Sequence, residues 1–166
     1  MNNYDPGMPN ALEMLSVAHE VWIATALLHR EQPGRADFTL TEIVERARAE
    51  GMSQDHRPGL RPHASRHCVA NVPPSPARHR MLFETGPSRR RLYRPGDPVH
   101  AGRRNGRVTP DSGTMPEAYL HLLDWYAQEW ASTSQPDPLL ALYGTGRDLW
   151  PEGADAFVRE LREGWE

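Results

Sequence analysis

The chain is 166 residues long with a formal net charge of −3, and all 19 of its basic residues are arginine. Its 16 prolines and 38% hydrophobic content suit one domain with extensions rather than two full-sized domains. One cysteine excludes an intrachain disulfide framework, and no run approaches the ~18 apolar residues of a membrane span.

The first predicted helix opens at Asn10, with Glu13 in the capping-box position, and carries Leu12, Leu15, Ala18, Val21, Trp22 and Leu28 at helical spacing to about Glu31. Thr25, the one polar residue on that stripe, is expected to bond back to a carbonyl of the preceding turn. Phe38 and Thr39 form a short extended piece. Thr39-Leu40-Thr41-Glu42 is a second capping box, opening a helix through Ile43, Val44 and Ala47 that stops at Gly51. A third helix is predicted from about Leu60 to Val72, with Leu60, Ala64, Cys68 and Val72 as its apolar stripe, ended by Pro73-Pro74. Arg80–Thr85 and Arg90–Arg94 flank a four-residue Gly86–Arg89 loop and read as a β-hairpin. Arg94 to Met115 has no periodicity and reads as a linker or extended arm. A third capping box, Thr114 to Glu117, opens a helix bearing Tyr119, Leu122, Leu123, Tyr126 and Trp130, with Trp125 beside them. The remainder is broken by glycine and proline and ends in a short helix through Phe157, Val158 and Leu161.

Charge is distributed unevenly over these elements. Residues 1–56 hold 4 Arg and 9 acids, residues 57–107 hold 12 Arg and 2 acids, and residues 108–166 hold 3 Arg and 11 acids. A +10 segment therefore lies between segments of −5 and −8. Codon usage explains arginine in place of lysine but not the clustering. The expected fold is α+β and mainly helical: a winged helix-turn-helix with an added C-terminal helix and tail. The expected organisation is 1–96 winged helix, 97–114 basic arm, and 115–166 C-terminal helix with an acidic aromatic tail. The basic block coincides with the third helix, the hairpin and the arm, which points to double-stranded DNA as partner. With Leu60, Ala64 and Cys68 inward, His63, Arg66 and Ala70 face outward and Ser65 lies at the flank. Arg66 is suited to guanine and His63 to a base or phosphate, while Arg61 sits nearer the backbone. Arg89, Arg90 and Arg91 of the hairpin are assigned to phosphates or a narrow minor groove, and Arg103, Arg104 and Arg107 to a minor-groove arm.

Two resemblances add to this reading. Ala24–Glu31, Phe38–Ile43, His63–Asn71, Arg80–Gly86 and Arg90–Asp97 together resemble a family of prokaryotic winged-helix proteins of unassigned function, over roughly residues 10–130. The resemblance implies the fold and little chemistry. Separately, Asp137–Trp150 and Asp155–Trp165 are similar to the tails of small bacterial antitoxins, with Arg147 where lysine is usual. That similarity implies a DNA-binding domain followed by a tail that neutralises a basic toxin. Leu139, Leu140, Leu142, Trp150, Phe157, Leu161 and Trp165 are the candidate partner-binding residues. Such short amphipathic pieces cannot bury their apolar faces alone. They dock on a partner, fold back on their own domain, or cover the basic surface when DNA is absent.

Enzymatic readings carry less. His63, His67, Cys68 and His79 lack the four-ligand set of a structural zinc site. Gly144-Thr145-Gly146 lacks the Gly-Lys-Ser/Thr of a phosphate loop. The expectation is a cytoplasmic bacterial DNA-binding regulator without cofactor, metal or membrane segment, an autorepressor or antitoxin, with a homodimer as one possible state. A start without a basic and apolar leader agrees with that location. The other class is a winged-helix protein–protein interaction subunit that does not bind DNA.

Overall fold

The structure, a computed structural model, describes residues 15–52 and 58–132. Helix α1 (Val17–Glu31) is capped by Ser16, whose hydroxyl accepts the His19 N–H at 3.3 Å. The start expected at Asn10 is therefore not where α1 opens, and Asn10, Leu12 and Glu13 lie outside the described residues. Strand β1 (Phe38–Thr39) leads directly into α2 (Leu40–Glu50). Here the capping box forms in both directions: Thr39 Oγ1 accepts the Glu42 N–H, and a Glu42 carboxylate oxygen accepts the Thr39 N–H at 2.8 Å. Arg35 bonds both oxygens of the same carboxylate, and these contacts hold its pKa down at about 2. Gly51 ends α2 with φ 60° and ψ 30°, the left-handed conformation that favours glycine.

Helix α3 is shorter than its stripe predicts. One α-turn, Leu60–Pro62, runs into a π-turn, His63–His67, closed by the Cys68 N–H on the His63 carbonyl at 3.1 Å. Leu60, Ala64 and Cys68 are buried as expected. Beyond them a sheet edge competes with the helix and wins. The Cys68 carbonyl accepts from Met81 and Leu82, and the Ala70 N–H donates to Leu82 at 2.7 Å. Asn71 extends this edge through its side chain, exchanging two hydrogen bonds with the Glu84 backbone. Residues 69–71 thus line strand β2 (Leu82–Gly86) rather than continuing the helix.

Strand β3 (Arg89–Leu92) pairs antiparallel with both β2 and β1, giving the sheet order β1-β3-β2. The connecting loop is two residues, Pro87 and Ser88, not four, because Gly86 already pairs with Arg89 across a register shift. Ser88 takes φ 55°, and its carbonyl accepts the Leu40 N–H at 2.9 Å. The hairpin tip is thereby tied to the start of α2 and does not project freely.

α1 is buried on almost every side, since it packs against α2, α3, β3 and α4 (His121–Trp125, continuing as a π-turn through Tyr126–Trp130). Val21, Trp22, Ile23, Phe38, Ile43, Met81, Leu82, Leu92 and Leu122 are the core. Thr25 sits among them with its hydroxyl donating to the Val21 carbonyl at 2.7 Å, as the sequence predicts. Among the described residues the architecture is α+β, with four helices and one small three-stranded antiparallel sheet, compatible with a winged-helix-like arrangement.

Residues 97–132, expected as a free arm and a separate helix, return to this core. The third capping box does not form: Thr114 lies in a 3-10 turn, Ser112–Thr114, and Pro116 begins the next turn without a side-chain cap. α4 is fixed instead by Tyr126 Oη on the Tyr93 carbonyl at 2.6 Å, Trp130 Nε1 on the same carbonyl at 3.3 Å, and Tyr119 Oη on Glu50 at 2.5 Å. By its contacts the chain divides after Thr133. Among the described residues no helix is long and apolar enough to cross a membrane.

His29 records how dry this junction is. It is 2% exposed, its Nε2 accepts the Leu92 N–H at 3.4 Å, and its ring lies 4.0 Å from Trp130 and 4.9 Å from Phe38. Burial, with the Arg94 and Arg91 charges, lowers its pKa from 6.5 to about 3. The unfolded chain therefore takes up this proton first. Stability from His29 is fully present above pH 6.5 and declines as pH falls from there toward 3. Acidification from about pH 7.5 to about pH 5 is expected to cost about 2 kcal/mol through this group. Urea midpoints at the two pH values check it: a His29→Gln variant should lose most of that acid sensitivity, and equal sensitivity would assign it elsewhere.

Candidate nucleic-acid interface

The outer side of α3 faces an open groove of about 920 Å³. Arg61, Pro62, Ser65, Arg66 and His67 form one wall, Val72 to Ser75 the lip, and Glu84 and Arg90 the far side. Arg61 and Arg66 are exposed and make no ion pair among the described residues. Ser65 is half-buried, its hydroxyl on the Pro62 carbonyl at 3.3 Å. His63 is placed differently from expectation. Its Nδ1 bonds the Gly59 carbonyl at 2.8 Å, burial lowers its pKa, and His67 stacks edge-on at 4.8 Å. Ala70, expected outward, is fully buried against β2.

The hairpin arginines are the larger correction. Arg89 pairs with Asp37 at 2.5 Å, where Thr85 also donates to the carboxylate. Arg90 is 4% exposed; it pairs with Glu84 at 2.5 Å and donates to the Ser65 carbonyl at 2.9 Å. Arg91 is buried in a two-pronged bond with Asp97, 2.7 Å on each side, over the Phe83 ring. None of the three presents a free guanidinium. Arg90 and Arg91 are internal struts, and Arg90 joins the hairpin to the end of α3.

Arg103 is no arm residue at all. It is 0% exposed, and its guanidinium donates to six carbonyls: Val72, His67, Ala77, His79, Arg66 and Pro73, at 2.6 to 3.2 Å. A helix ends with carbonyls that lack a partner within it. At the end of α3 two buried arginines supply the donors, Arg90 at Ser65 and Arg103 at Arg66 and His67. The segment around Arg103 is locked further by the Arg80 N–H on the Arg107 carbonyl and by Arg80 Nε on Gly106 at 2.9 Å. A β-carbon on Gly106 would fall 1.7 Å from the Arg78 carbonyl oxygen, so only glycine allows this approach. Arg107 is exposed and pairs with Asp111 at 3.1 Å, whereas Arg104 is exposed with no ion pair among the described residues.

Of the twelve arginines in 57–107, four thus bind carboxylates and Arg103 binds carbonyls. Arg80 and Arg94 lie over the Tyr93 and Trp130 rings. Arg61, Arg66, Arg78 and Arg104 remain exposed, and Arg57 lies outside the described residues. Arg78 was not singled out from sequence, because it sits between proline-rich loop and hairpin with no periodicity to place it. Cys68 is buried, and desolvation raises its thiol to about 12, which makes it a packing residue. Among the described residues no three His, Cys, Asp or Glu side chains converge as a metal site. Leu139, Leu140, Leu142, Trp150, Phe157, Leu161 and Trp165 lie outside the described residues. In comparisons with family models, with curated proteins and with solved structures, nothing matches this chain.

Proposed function

We propose that this chain is a winged-helix protein that binds double-stranded DNA and acts as a transcriptional regulator. Support comes from the element order, helix, strand, helix, helix, hairpin, and from the sheet order β1-β3-β2. The observation that carries the reading is the outer face of α3. Arg61 and Arg66 stand exposed at the rim of an open groove, although most arginines around them are committed internally. Arg66 is the candidate base reader, bidentate to guanine O6 and N7, and Arg61 the phosphate contact. A regulator with an acidic 108–166 segment of net −8 also suits the autorepressor or antitoxin reading, in which that segment takes a basic partner. The neutralised hairpin favours the second reading, an interaction subunit without DNA affinity.

The test is a titration of the full-length protein against a labelled duplex over a range of salt. Each phosphate neutralised contributes about −0.9 to the slope of log K on log salt. The four exposed arginines without an ion pair among the described residues of 57–107 set an expected slope of about −4. A slope of about −6 would return the three hairpin arginines to the interface, and no binding at low salt would reject DNA in favour of the interaction subunit.

A further inference from the structure

We infer that the second phosphate-contacting surface of this protein is not the hairpin but the knot at the C-terminal end of α3, where Arg78 and Arg104 stand. The inference rests on the DNA-binding reading and departs from it in placing the backbone contact on the 73–79 and 101–107 segments instead of the hairpin.

Two sets of observations lead there. The hairpin has no cation to offer: Arg89 is held by Asp37, Arg90 by Glu84, and Arg91 by Asp97. Its tip, Pro87-Ser88, carries no charge and is tied down through the Leu40 N–H. A phosphate approaching there would have to displace a carboxylate from a buried or half-buried arginine and leave that carboxylate beside itself.

The knot at the C-terminal end of α3 is built differently. One Nη of Arg103 binds the carbonyls of His67, Ala77 and His79, and the other binds those of Arg66 and Pro73. The end of α3, the 73–79 loop and the 101–107 segment therefore meet around one guanidinium. Arg66 belongs to the first of these, Arg78 to the second and Arg104 to the third, and all three are exposed. The only carboxylate bonded into this knot among the described residues is Asp111, on the exposed Arg107. That pair is 57% and 45% exposed, so it is screened and a phosphate can exchange for Asp111 at little cost. His79, at the knot, is held neutral by burial and by the His63, Arg107 and Arg103 charges, so it adds no cation near pH 7. Arg103 thus has a positioning role: it fixes three chain segments so that their outward arginines form one continuous basic edge with the reading face. DNA lying along that edge is bound through its backbone, independent of sequence.

The experiment compares full-length wild type, R78Q/R104Q and R89Q on one duplex across salt. Urea midpoints equal to wild type serve as the folding control. R78Q/R104Q is expected to bind at least tenfold more weakly near 100 mM salt and to flatten the log–log slope by about 2, on all sequences alike. R89Q should leave the slope unchanged. Should R89Q flatten the slope while R78Q/R104Q keeps it, the backbone contact belongs to the hairpin and the inference fails with the DNA reading intact. If wild type binds no duplex at low salt, both fall together.

Discussion

Replacing Arg103 by methionine is expected to destabilise the whole fold by several kcal/mol, not merely to weaken a ligand. The side chain is fully buried and is the shared donor for six carbonyls drawn from α3, the proline loop and the approach to β2. Methionine fills a similar volume but donates nothing. Each buried carbonyl left without a donor costs about 1–3 kcal/mol, and neighbouring losses overlap rather than add. A net loss of about 4 kcal/mol is a large part of the 5–15 kcal/mol typical of a small domain. With a urea m-value of about 1–3 kcal/mol/M, the midpoint should fall by about 2 M. Arg103→Lys should rescue only part of this, since one ammonium has three donors against five on a planar guanidinium. A Met variant with the wild-type midpoint and lost DNA binding would restore Arg103 to the arm role that composition suggested.

That contrast marks where sequence reasoning holds for this chain and where it stops. Local signals transferred well. The Thr39–Glu42 capping box, the Gly51 stop, the Thr25 back-bond and the inward Leu60, Ala64 and Cys68 are each decided by a few neighbouring residues, and each is present. Several of the failures share one cause, a partner distant in sequence, while Arg90 and Arg91 meet carboxylates only six residues away. The period-four stripe ran on to Val72, but the edge of β2 took the Cys68 and Ala70 backbone groups first. Arg89 meets Asp37, which lies before α2, and Arg103 meets carbonyls some 24 to 37 residues away. An arginine committed to a carbonyl or a carboxylate and one awaiting a phosphate have the same letter. The +10 count therefore overstated the free charge of its segment, because Asp37 and Asp111, which lie outside that window, each neutralise one of its members.

The second large effect is expected at Asp97, and it separates structural from DNA-contacting arginine most cleanly. Asp97 accepts both prongs of Arg91 at 2.7 Å and the Arg94 N–H at 2.7 Å, with 4% of its side chain exposed. Removing it by Asp97→Ala strands the Arg91 guanidinium, 10% exposed, without its counter-charge. Breaking one side of a buried pair costs about 3–5 kcal/mol, well above what an exposed pair is worth. Arg91→Ala should cost a similar amount, since it leaves Asp97 buried with only the Arg94 N–H. The double variant should then be less damaging than the sum of the two, and a replacement of Arg91 and Asp97 by apolar residues of similar volume should approach wild-type stability. That last variant is the informative one for function. If Arg91 served DNA, restoring stability without its charge would leave binding impaired and the salt slope flatter by about 1. As Arg91 is sequestered by Asp97, the expected result is a stable protein with wild-type affinity and slope. On the proposed DNA reading, the exposed Arg61, Arg66, Arg78 and Arg104 would then supply the electrostatic part of binding.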